Sequence, residues 1–229
     1  MSLYVIGDLH LSLGCEKPMD VFGGRWENYV DKLLDGFSTV KNEDTTVLCG
    51  DLSWGMNLAD AEADFRFIHA LPGRKVILKG NHDYWWTTAT QAYRFFAEKG
   101  FDSLEILNNN CCLYGDIALC GTRGWLNEDA ASDDHDKKIL ARELLRLEAS
   151  LKAAGEREKL AFLHYPPKLT TGECAPMLEL LRAYGVKQCF YGHLHSGGRR
   201  LGFEGESGGI RFRLISADHV SFIPQRILD

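Results

Sequence analysis

The most constraining feature of this sequence is a short apolar run that ends abruptly at a polar motif and recurs along the chain. The runs cover residues 3–7, 45–50, 75–80, 159–164 and 187–192. Their length and their β-branched or apolar composition predict buried β-strands. Longer helical patterns lie between several of them, and strands that alternate with helices are typical of an α/β fold.

Two segments between the strands carry apolar residues at intervals of three and four, which predicts amphipathic helices. One pattern is formed by Leu58, Ala61, Phe65 and Ile68, and the other by Leu140, Leu144, Leu147 and Leu151. The second predicts a helix over residues 137–152 with those leucines facing inward. Residues 103–121 and 199–224 predict added antiparallel strands, because Asn, Gly and Asp turns interrupt them. The acidic segment 127–136 is predicted to be a mobile loop.

The composition favours one domain and argues against several classes of partner. The chain has 229 residues, of which 45% are hydrophobic. No repeat or Pro/Gly/Ser-rich linker divides it, so we expect a single domain over residues 1–229. The net charge of −6 predicts a surface that repels nucleic acid and anionic membranes. No secretion signal or apolar stretch of about 20 residues is visible, which predicts a cytoplasmic protein.

The polar motifs at the strand ends contain most of the histidines in the sequence. They are Asp8-Leu9-His10, Gly50-Asp51, Gly80-Asn81-His82-Asp83, His164, and Gly192-His193-Leu194-His195. Each motif alone is more typical of a turn, because Gly, Asn and Asp suit positive φ and bond to nearby backbone. Five of the eight histidines nevertheless fall just beyond a predicted strand. Ligands in open α/β sheets bind at the carboxyl ends of strands, which favours a common site.

The side chains of these motifs indicate a catalytic metal centre. They offer carboxylate, amide and imidazole donors without a thiolate, and the seven cysteines contain no C-x-x-C pair. Such donors suit Mn²⁺, Fe or Zn²⁺ in an open site better than a closed structural zinc site. Their number is sufficient for two divalent ions about 3.5–4 Å apart, bridged by one carboxylate.

The five motifs in this order resemble the calcineurin-like metallophosphoesterase superfamily, and in particular its bacterial predicted phosphohydrolases. The resemblance spans most of the chain and implies two packed mixed β-sheets flanked by helices. It implies that one metal is held by Asp8, His10, Asp51 and His195, and the other by Asp51, Asn81, His164 and His193. By the same resemblance, His82 faces the substrate as the catalytic residue, stabilising charge on phosphorus or protonating the leaving oxygen.

The expected function is a dinuclear metal-dependent phosphohydrolase that cleaves small phosphate monoesters or diesters by direct attack of a metal-bound hydroxide. One alternative is a metal-binding regulatory module without catalysis, and the presence of His82 argues against it. Another is a nuclease-type phosphodiesterase, and the acidic composition argues against the basic groove that it requires.

The sequence departs from the protein phosphatase branch of this superfamily at one position. In that branch a second Asp follows the Gly-Asp motif by three residues and leads into Arg-Gly, whereas Trp54 occupies the position here. The carboxylate that would orient His82 and a phosphate-binding arginine are therefore missing, which argues against a phosphoprotein substrate. What orients His82 is an open question at this stage.

Three further side chains have more than one interpretation. Arg123, flanked by glycine, either binds phosphate or forms a surface salt bridge. Trp85 and Trp86 either stack on an aromatic part of the substrate or anchor the following helix in the core.

Overall fold

The computed structural model describes residues 1–125 and 134–229, which form two β-sheets packed face to face between outer helices. The first sheet contains, in spatial order, β11 (Gln225–Leu228), β1 (Leu3–Ile6), β2 (Thr45–Cys49), β3 (Arg74–Leu78) and β4 (Leu104–Ile106). Strands β1 to β4 are parallel, and β11 runs antiparallel beside β1. This sheet carries three of the five polar motifs at the ends of neighbouring strands.

The second sheet supplies the other two motifs. In spatial order it contains β5 (Cys111–Tyr114), β6 (Ile117–Thr122), β7 (Lys159–Leu163), β8 (Gln188–Tyr191), β10 (Ile210–Leu214) and β9 (Gly205–Ser207). Strands β6, β7, β8 and β10 are parallel, while β5 and β9 pair antiparallel at the two edges. Both sheets are therefore mixed, as the resemblance to the superfamily implies.

The apolar layer between the sheets comes from alternate residues of the central strands, since successive side chains of a strand point to opposite faces. Val5, Val47 and Val76 of the first sheet share one buried cluster with Phe162 and Phe190 of the second. The other face of each central strand is also apolar and packs on helices. Burial on both faces accounts for the continuous apolar runs in the sequence.

Helices cover the outer face of each sheet. They are α1 (Tyr29–Phe37), α2 (Glu62–Ala70), α3 (Ala89–Lys99), α4 (Asp134–Ala153) and α5 (Ala175–Ala183). Phe37 and Phe65 pack in one cluster with Ile6 and Leu48, which places α1 and α2 on the first sheet. A second cluster joins α4 and α5 to the second sheet. Within the described residues, no helix is both long and apolar enough to cross a membrane.

The structure confirms the five predicted strands and corrects several details around them. Strands β4 and β10, predicted to be antiparallel additions, pair in parallel with β3 and β8. Helix α4 begins at Asp134, three residues before the predicted start, so the end of the predicted mobile loop is helical. Residues 127–133 of that loop lie outside the described part of the chain.

The prediction for the leucines of α4 is correct at three of four positions. Leu140, Leu147 and Leu151 are buried in the cluster that joins α4 and α5 to the second sheet. Leu144 is half-buried and packs against this cluster. Leu144 lines a surface groove between α4 and α5.

Candidate active site

All five polar motifs meet at one edge of the sandwich, where the carboxyl ends of strands from both sheets converge. The loop after β8 reaches the loop after β1, since the backbone N–H of His193 donates to the Asp8 carboxylate at 3.0 Å. The loop after β7 reaches β2, since Nδ1 of His164 lies 3.1 Å from the carbonyl oxygen of Cys49. Residues far apart in the chain therefore form one site, as the sequence predicts.

The first set of donors, called position one, consists of Asp8, His10, Asp51 and His195. One ligand atom from each lies within 4.8 Å of the others. The Nε2 atoms of His10 and His195 are 3.2 Å apart, and His10 Nε2 is 3.7 Å from Asp51 Oδ2. Three of the four side chains are buried, and His195 is partly open to solvent.

The second set, called position two, consists of Asp51, Asn81, His164 and His193. Asn81 Oδ1 lies 2.6 Å from His164 Nε2 and 2.9 Å from His193 Nδ1. His164 Nε2 is 3.5 Å from Asp51 Oδ2. The ligand atoms of position two therefore face one another around the same carboxylate that belongs to position one.

Asp51 lies between the two positions with one oxygen unsatisfied. Its Oδ1 accepts a hydrogen bond from the backbone N–H of His82 at 2.7 Å. Its Oδ2 is buried and has no hydrogen-bond partner among the described residues, although it faces imidazole nitrogens from both sets. A buried carboxylate oxygen without a partner is costly, and a cation on each side would satisfy it.

The donor sets fit divalent ions in spacing and chemistry. Ligands bonded to one ion at about 2.0–2.2 Å lie roughly 3 Å from each other. Neighbouring donor atoms of the two sets are 2.6–3.9 Å apart here. Nitrogen and oxygen donors without sulfur suit Mn²⁺, Fe or Zn²⁺. The structure thus contains a candidate metal site, and its composition does not select one metal.

The charges of the site also favour bound cations. Burial raises the pKa of Asp8 well above its usual range, and the neighbouring Asp51 carboxylate raises it further. Burial raises the pKa of Asp51 to about 6. Burial lowers the pKa of His164 to about 3 and that of His193 to about 2, so both imidazoles are neutral, as metal ligands must be.

The backbone of the site is held in conformations that bring the loops into close contact. Asp8, His10, Asp51 and His193 all have positive φ. A Cβ atom at Gly80 would lie 2.1 Å from Asp51 Oδ1, and one at Gly192 would lie 2.4 Å from Asp8 Oδ2. The glycines before Asn81 and His193 are therefore required for the approach of the two carboxylates.

Asp83 organises the loops and does not orient His82. Its buried carboxylate accepts hydrogen bonds from the backbone N–H groups of Gly80, Asp51 and Leu52, and from Nε1 of Trp85. These contacts join the loop after β3 to the loop after β2, so Asp83 positions Asp51 and Asn81 relative to each other.

His82 lies beside the two donor sets and contacts an exposed tyrosine. Its ring is 4.5 Å from that of Trp54, and its Nδ1 is 3.2 Å from the hydroxyl of Tyr84. Tyr84 is thus the group that can orient His82, which the sequence left open. In the sequence, the only indication of this role was that Tyr84 lies two residues after His82. That spacing does not determine where the tyrosine side chain points.

Aromatic side chains that the sequence did not assign to the site hold several of the ligands. The ring of His10 stacks on Trp54 at 5.0 Å and meets the edge of Trp26 at 5.8 Å. The ring of His193 lies 4.1 Å from that of Tyr165. Trp54 was visible in the sequence as the residue that replaces a carboxylate, but its contact with His10 was not.

The open interpretations of Arg123, Trp85 and Trp86 have different outcomes. Trp85 is fully buried against Phe65 and anchors the core. Trp86 is half-buried and lines a cavity beside the site. Arg123 does form a salt bridge, to Glu143 at 3.4 Å, but this pair is largely buried and not on the surface.

The three histidines outside the motifs lie away from both positions. His69 is 2.9 Å from the Ser103 hydroxyl, and His219 is 3.1 Å from a Glu204 carboxylate oxygen. His135 is exposed on α4. These contacts and this exposure give the three histidines no part in either position.

Solved structures with the same fold cover almost the whole chain. A protein of unknown function from Aquifex aeolicus, AQ665, is 18% identical with a TM-score of 0.54, over 98% of this chain and 95% of that one. The phosphopantetheinyl hydrolase PptH from Mycobacterium tuberculosis is 12% identical with a TM-score of 0.61, over 99% and 95%. TT1561 of Thermus thermophilus is 12% identical with a TM-score of 0.52, over 99% and 97%. These likenesses show the fold.

Sequence comparison identifies the family. A search of curated proteins finds no match. The model of the calcineurin-like phosphoesterase family matches residues 1–197, which include all five polar motifs. With the two-sheet fold and the candidate metal site at the strand ends, this match shows that the chain belongs to the calcineurin-like phosphoesterase family and is a metal-dependent phosphoesterase.

Proposed function

We propose that this protein hydrolyses small phosphate monoesters or diesters at a centre of two divalent ions, one at each of the two positions. The observation that carries the proposal is the buried Oδ2 of Asp51, which has no hydrogen-bond partner among the described residues and faces both donor sets. A carboxylate in this place can bridge two ions, and one ion cannot use all seven side chains.

The metal ions, when bound, would lower the pKa of water toward neutrality and neutralise charge on the phosphoryl oxygens. His82 lies at the rim of the site and belongs to neither donor set, so its imidazole is free to transfer a proton. We assign it the role of general acid for the leaving oxygen. Nδ1 faces Tyr84, which leaves Nε2 to carry the proton toward the substrate.

The chain's own residues favour direct hydrolysis without a covalent phosphoenzyme. Cys49 is the thiol nearest to the site in sequence, and burial raises its pKa well above the usual range, so it stays protonated and inert. The Ser53 hydroxyl, two residues after Asp51, is bonded to the Asp64 carboxylate. The imidazoles of both positions would serve as metal ligands and could not also activate a nucleophile.

The acidic composition supports a small phosphorylated substrate over nucleic acid or an anionic membrane surface, and Trp54 in place of the second Asp argues against a phosphoprotein. With a net charge of −6, attraction of phosphate must come from the site itself. The solved neighbour named as a phosphopantetheinyl hydrolase is consistent with hydrolase chemistry on this fold.

The proposal is tested by metal analysis and turnover on the same preparation. Protein loaded separately with Mn²⁺, Fe²⁺ or Zn²⁺ is assayed with nitrophenyl monoesters and diesters, alkyl monoesters and cyclic nucleotides. We expect two ions per chain and turnover of at least one class. Two bound ions without turnover would instead support a regulatory metal-binding module, and one ion with full activity would contradict the dinuclear centre.

A variant of His82 separates catalysis from metal binding. General acid catalysis contributes about 10²–10⁴-fold, so we expect His82→Asn to lower turnover of alkyl esters by about that factor. The loss should be smaller for nitrophenyl esters, whose leaving groups need little protonation. Metal content should not change. Loss of metal in this variant would make His82 a ligand and overturn the assignment.

A further inference from the structure

A cavity of about 260 Å³ lies beside the candidate metal centre, and its wall is unusually rich in cations for an acidic protein. Lys79, Arg123 and Arg146 line it together with the carboxylate of Glu143. None of the proposed metal ligands lines this cavity, so it is a separate compartment next to the centre.

The cations of this cavity outnumber its carboxylate. Glu143 is fully buried and pairs with Arg146 at 2.7 Å and with Arg123 at 3.4 Å. It also accepts a hydrogen bond from the Thr122 hydroxyl at 2.6 Å. Lys79 forms no ion pair with any residue in the described part of the chain, although it is only partly exposed. The cavity therefore carries uncompensated positive charge.

The N-terminus of α3 adds to this positive field. Thr87 and Thr88, which lead into that helix, and Ala89, its first residue, line the cavity. The helix has 11 residues, and the N-terminal end of a helix favours anions through its free N–H groups and its dipole. The Nε of Arg123 is buried and has no hydrogen-bond partner among the described residues. Each feature independently favours an anionic occupant.

The chain connects this cavity directly to the metal centre. Lys79 precedes Gly80 and Asn81 in the loop after β3. The carbonyl oxygen of Arg123 accepts hydrogen bonds from the backbone N–H of His164 at 3.1 Å and of Tyr165 at 2.8 Å. The cavity is therefore built on the same loops as the donor sets and lies next to them.

We propose that this cavity binds a second phosphate group of the substrate, so that the enzyme prefers small esters that carry two separated phosphates. Lys79 and Arg146 contact this second phosphate, and Arg123 holds the wall of the cavity through Glu143. Three cations against one buried carboxylate leave an excess of two positive charges, which together with a helix N-terminus suit a dianionic phosphate better than a neutral or singly charged group. The inference rests on the proposed phosphoesterase function and names its substrate class.

The test compares matched substrates in the metal-loaded enzyme. Alkanediol bisphosphates with two to six carbons are assayed against the hydroxyalkyl monophosphates of the same chain length. We expect one or two chain lengths of the bisphosphate to show a KM at least tenfold lower than the monophosphate, since a hydrogen bond to a charged group is worth roughly that factor or more.

Lys79→Gln is the sharpest variant, because it removes a cation without leaving Glu143 unpaired. We expect it to raise KM for the preferred bisphosphate about tenfold, with no change for the monophosphate. Lys138→Gln is the matched control, since it removes the same charge from an exposed position of α4 that does not line the cavity. Equal effects of the two variants, or equal effects on both substrates, would overturn the proposal.

Binding of alkane bisphosphonates, which are not hydrolysed, distinguishes failure of this inference from failure of the proposed function. Calorimetry on the metal-loaded protein compares each bisphosphonate with the monophosphonate of equal length. Tighter binding of the bisphosphonate that disappears in Lys79→Gln supports the second phosphate site even without turnover. If esters are turned over but neither binding nor KM favours the compound with two phosphorus groups, the phosphoesterase function stands and the second phosphate site is refuted.

Discussion

The two halves of the candidate metal centre share Asp51 but are held by different contacts. At position one, the ring of His10 packs between Trp54 and Trp26. At position two, His164 Nδ1 lies 3.1 Å from the Cys49 carbonyl, a hydrogen bond that leaves Nε2 free to bind metal. At position one His10 is thus held by aromatic packing, whereas at position two a backbone hydrogen bond to His164 adds to the ring contact between Tyr165 and His193.

This difference follows from where the ligands come from. Three ligands of position one follow strands of the first sheet, whose outer face is covered by a cluster rich in aromatic residues. Position two takes two ligands from each sheet and lies over the seam between them. The hydrogen bond from His164 to the Cys49 carbonyl crosses this seam and fixes the direction of the His164 imidazole.

The largest expected effect is that of Asp51→Asn, because Asp51 is the one residue common to both halves. Both ions should bind more weakly, and turnover should fall by more than the roughly 10²–10³-fold that loss of one stabilising group costs. Metal content per chain, measured after gel filtration, checks the first expectation. Two tightly held ions and full activity in this variant would refute the bridging role.

Measuring the metal-free stability of this variant shows whether it is folded. Burial raises the pKa of Asp51 to about 6, above its ordinary value near 4, so the folded metal-free protein loses stability as the pH rises from about 4 to 6. Asn does not ionise and removes this loss. Without metal, Asp51→Asn should therefore melt no lower than the parent protein at pH 7.

Single-ligand variants test whether the halves are separate. His10→Ala should remove the ion of position one and His164→Ala that of position two, each leaving about one ion per chain. The shared carboxylate can still hold the remaining ion with its other ligands. If either variant releases both ions, the halves bind cooperatively and the distinction between them is lost.

The contrast between packing and hydrogen bonding is tested by changing the aromatic neighbours. Trp54→Leu should weaken metal affinity at position one by about 10–100-fold, the range for losing a group that orients a ligand. Tyr165→Leu removes the ring beside His193 and should have a smaller effect at position two, because the His164 hydrogen bond persists. Equal losses in competition titrations with a chelating dye would contradict the contrast.

The sequence predicted which residues meet at the site, because the position of a motif after a buried strand determines the sheet edge to which it belongs. Asp8, Asp51 and His164 are examples, since parallel strands place their carboxyl ends together. The order of the five motifs resembles that of the family, and this resemblance predicted the two packed β-sheets. The sequence did not predict that β4 pairs in parallel with β3 and β10 with β8. Turn residues indicate that the chain changes direction, but they do not show which strand becomes the neighbour.

The contacts around the site could not be predicted, because they depend on side-chain direction and on distant elements. Asp83 accepts hydrogen bonds from the loop after β2, about 30 residues away in the chain. Glu143 and Arg146 reach the cavity from α4, and only the packing of that helix on the second sheet brings them there. Adjacent tryptophans differ for the same reason, with Trp85 in the core and Trp86 at a cavity.

The smallest expected effect concerns His82, which lies beside both halves and belongs to neither. As a general acid His82 is protonated, and its Nδ1–H can donate to the Tyr84 hydroxyl. Tyr84→Phe removes this acceptor, so the imidazolium is less stable and the ring less fixed. A hydrogen bond is worth about 0.5–1.5 kcal/mol, so turnover of alkyl esters should fall roughly 2–10-fold.

The pH profile distinguishes this role of Tyr84 from a structural one. Burial already lowers the pKa of His82, and loss of the acceptor should lower it further. Activity that requires protonated His82 declines as the pH rises through that pKa, so the decline should begin at a lower pH in Tyr84→Phe. Tyr184→Phe, which removes a remote hydrogen bond to Glu148, should leave the profile unchanged. An unshifted profile and unchanged turnover in Tyr84→Phe would mean that Tyr84 does not orient His82.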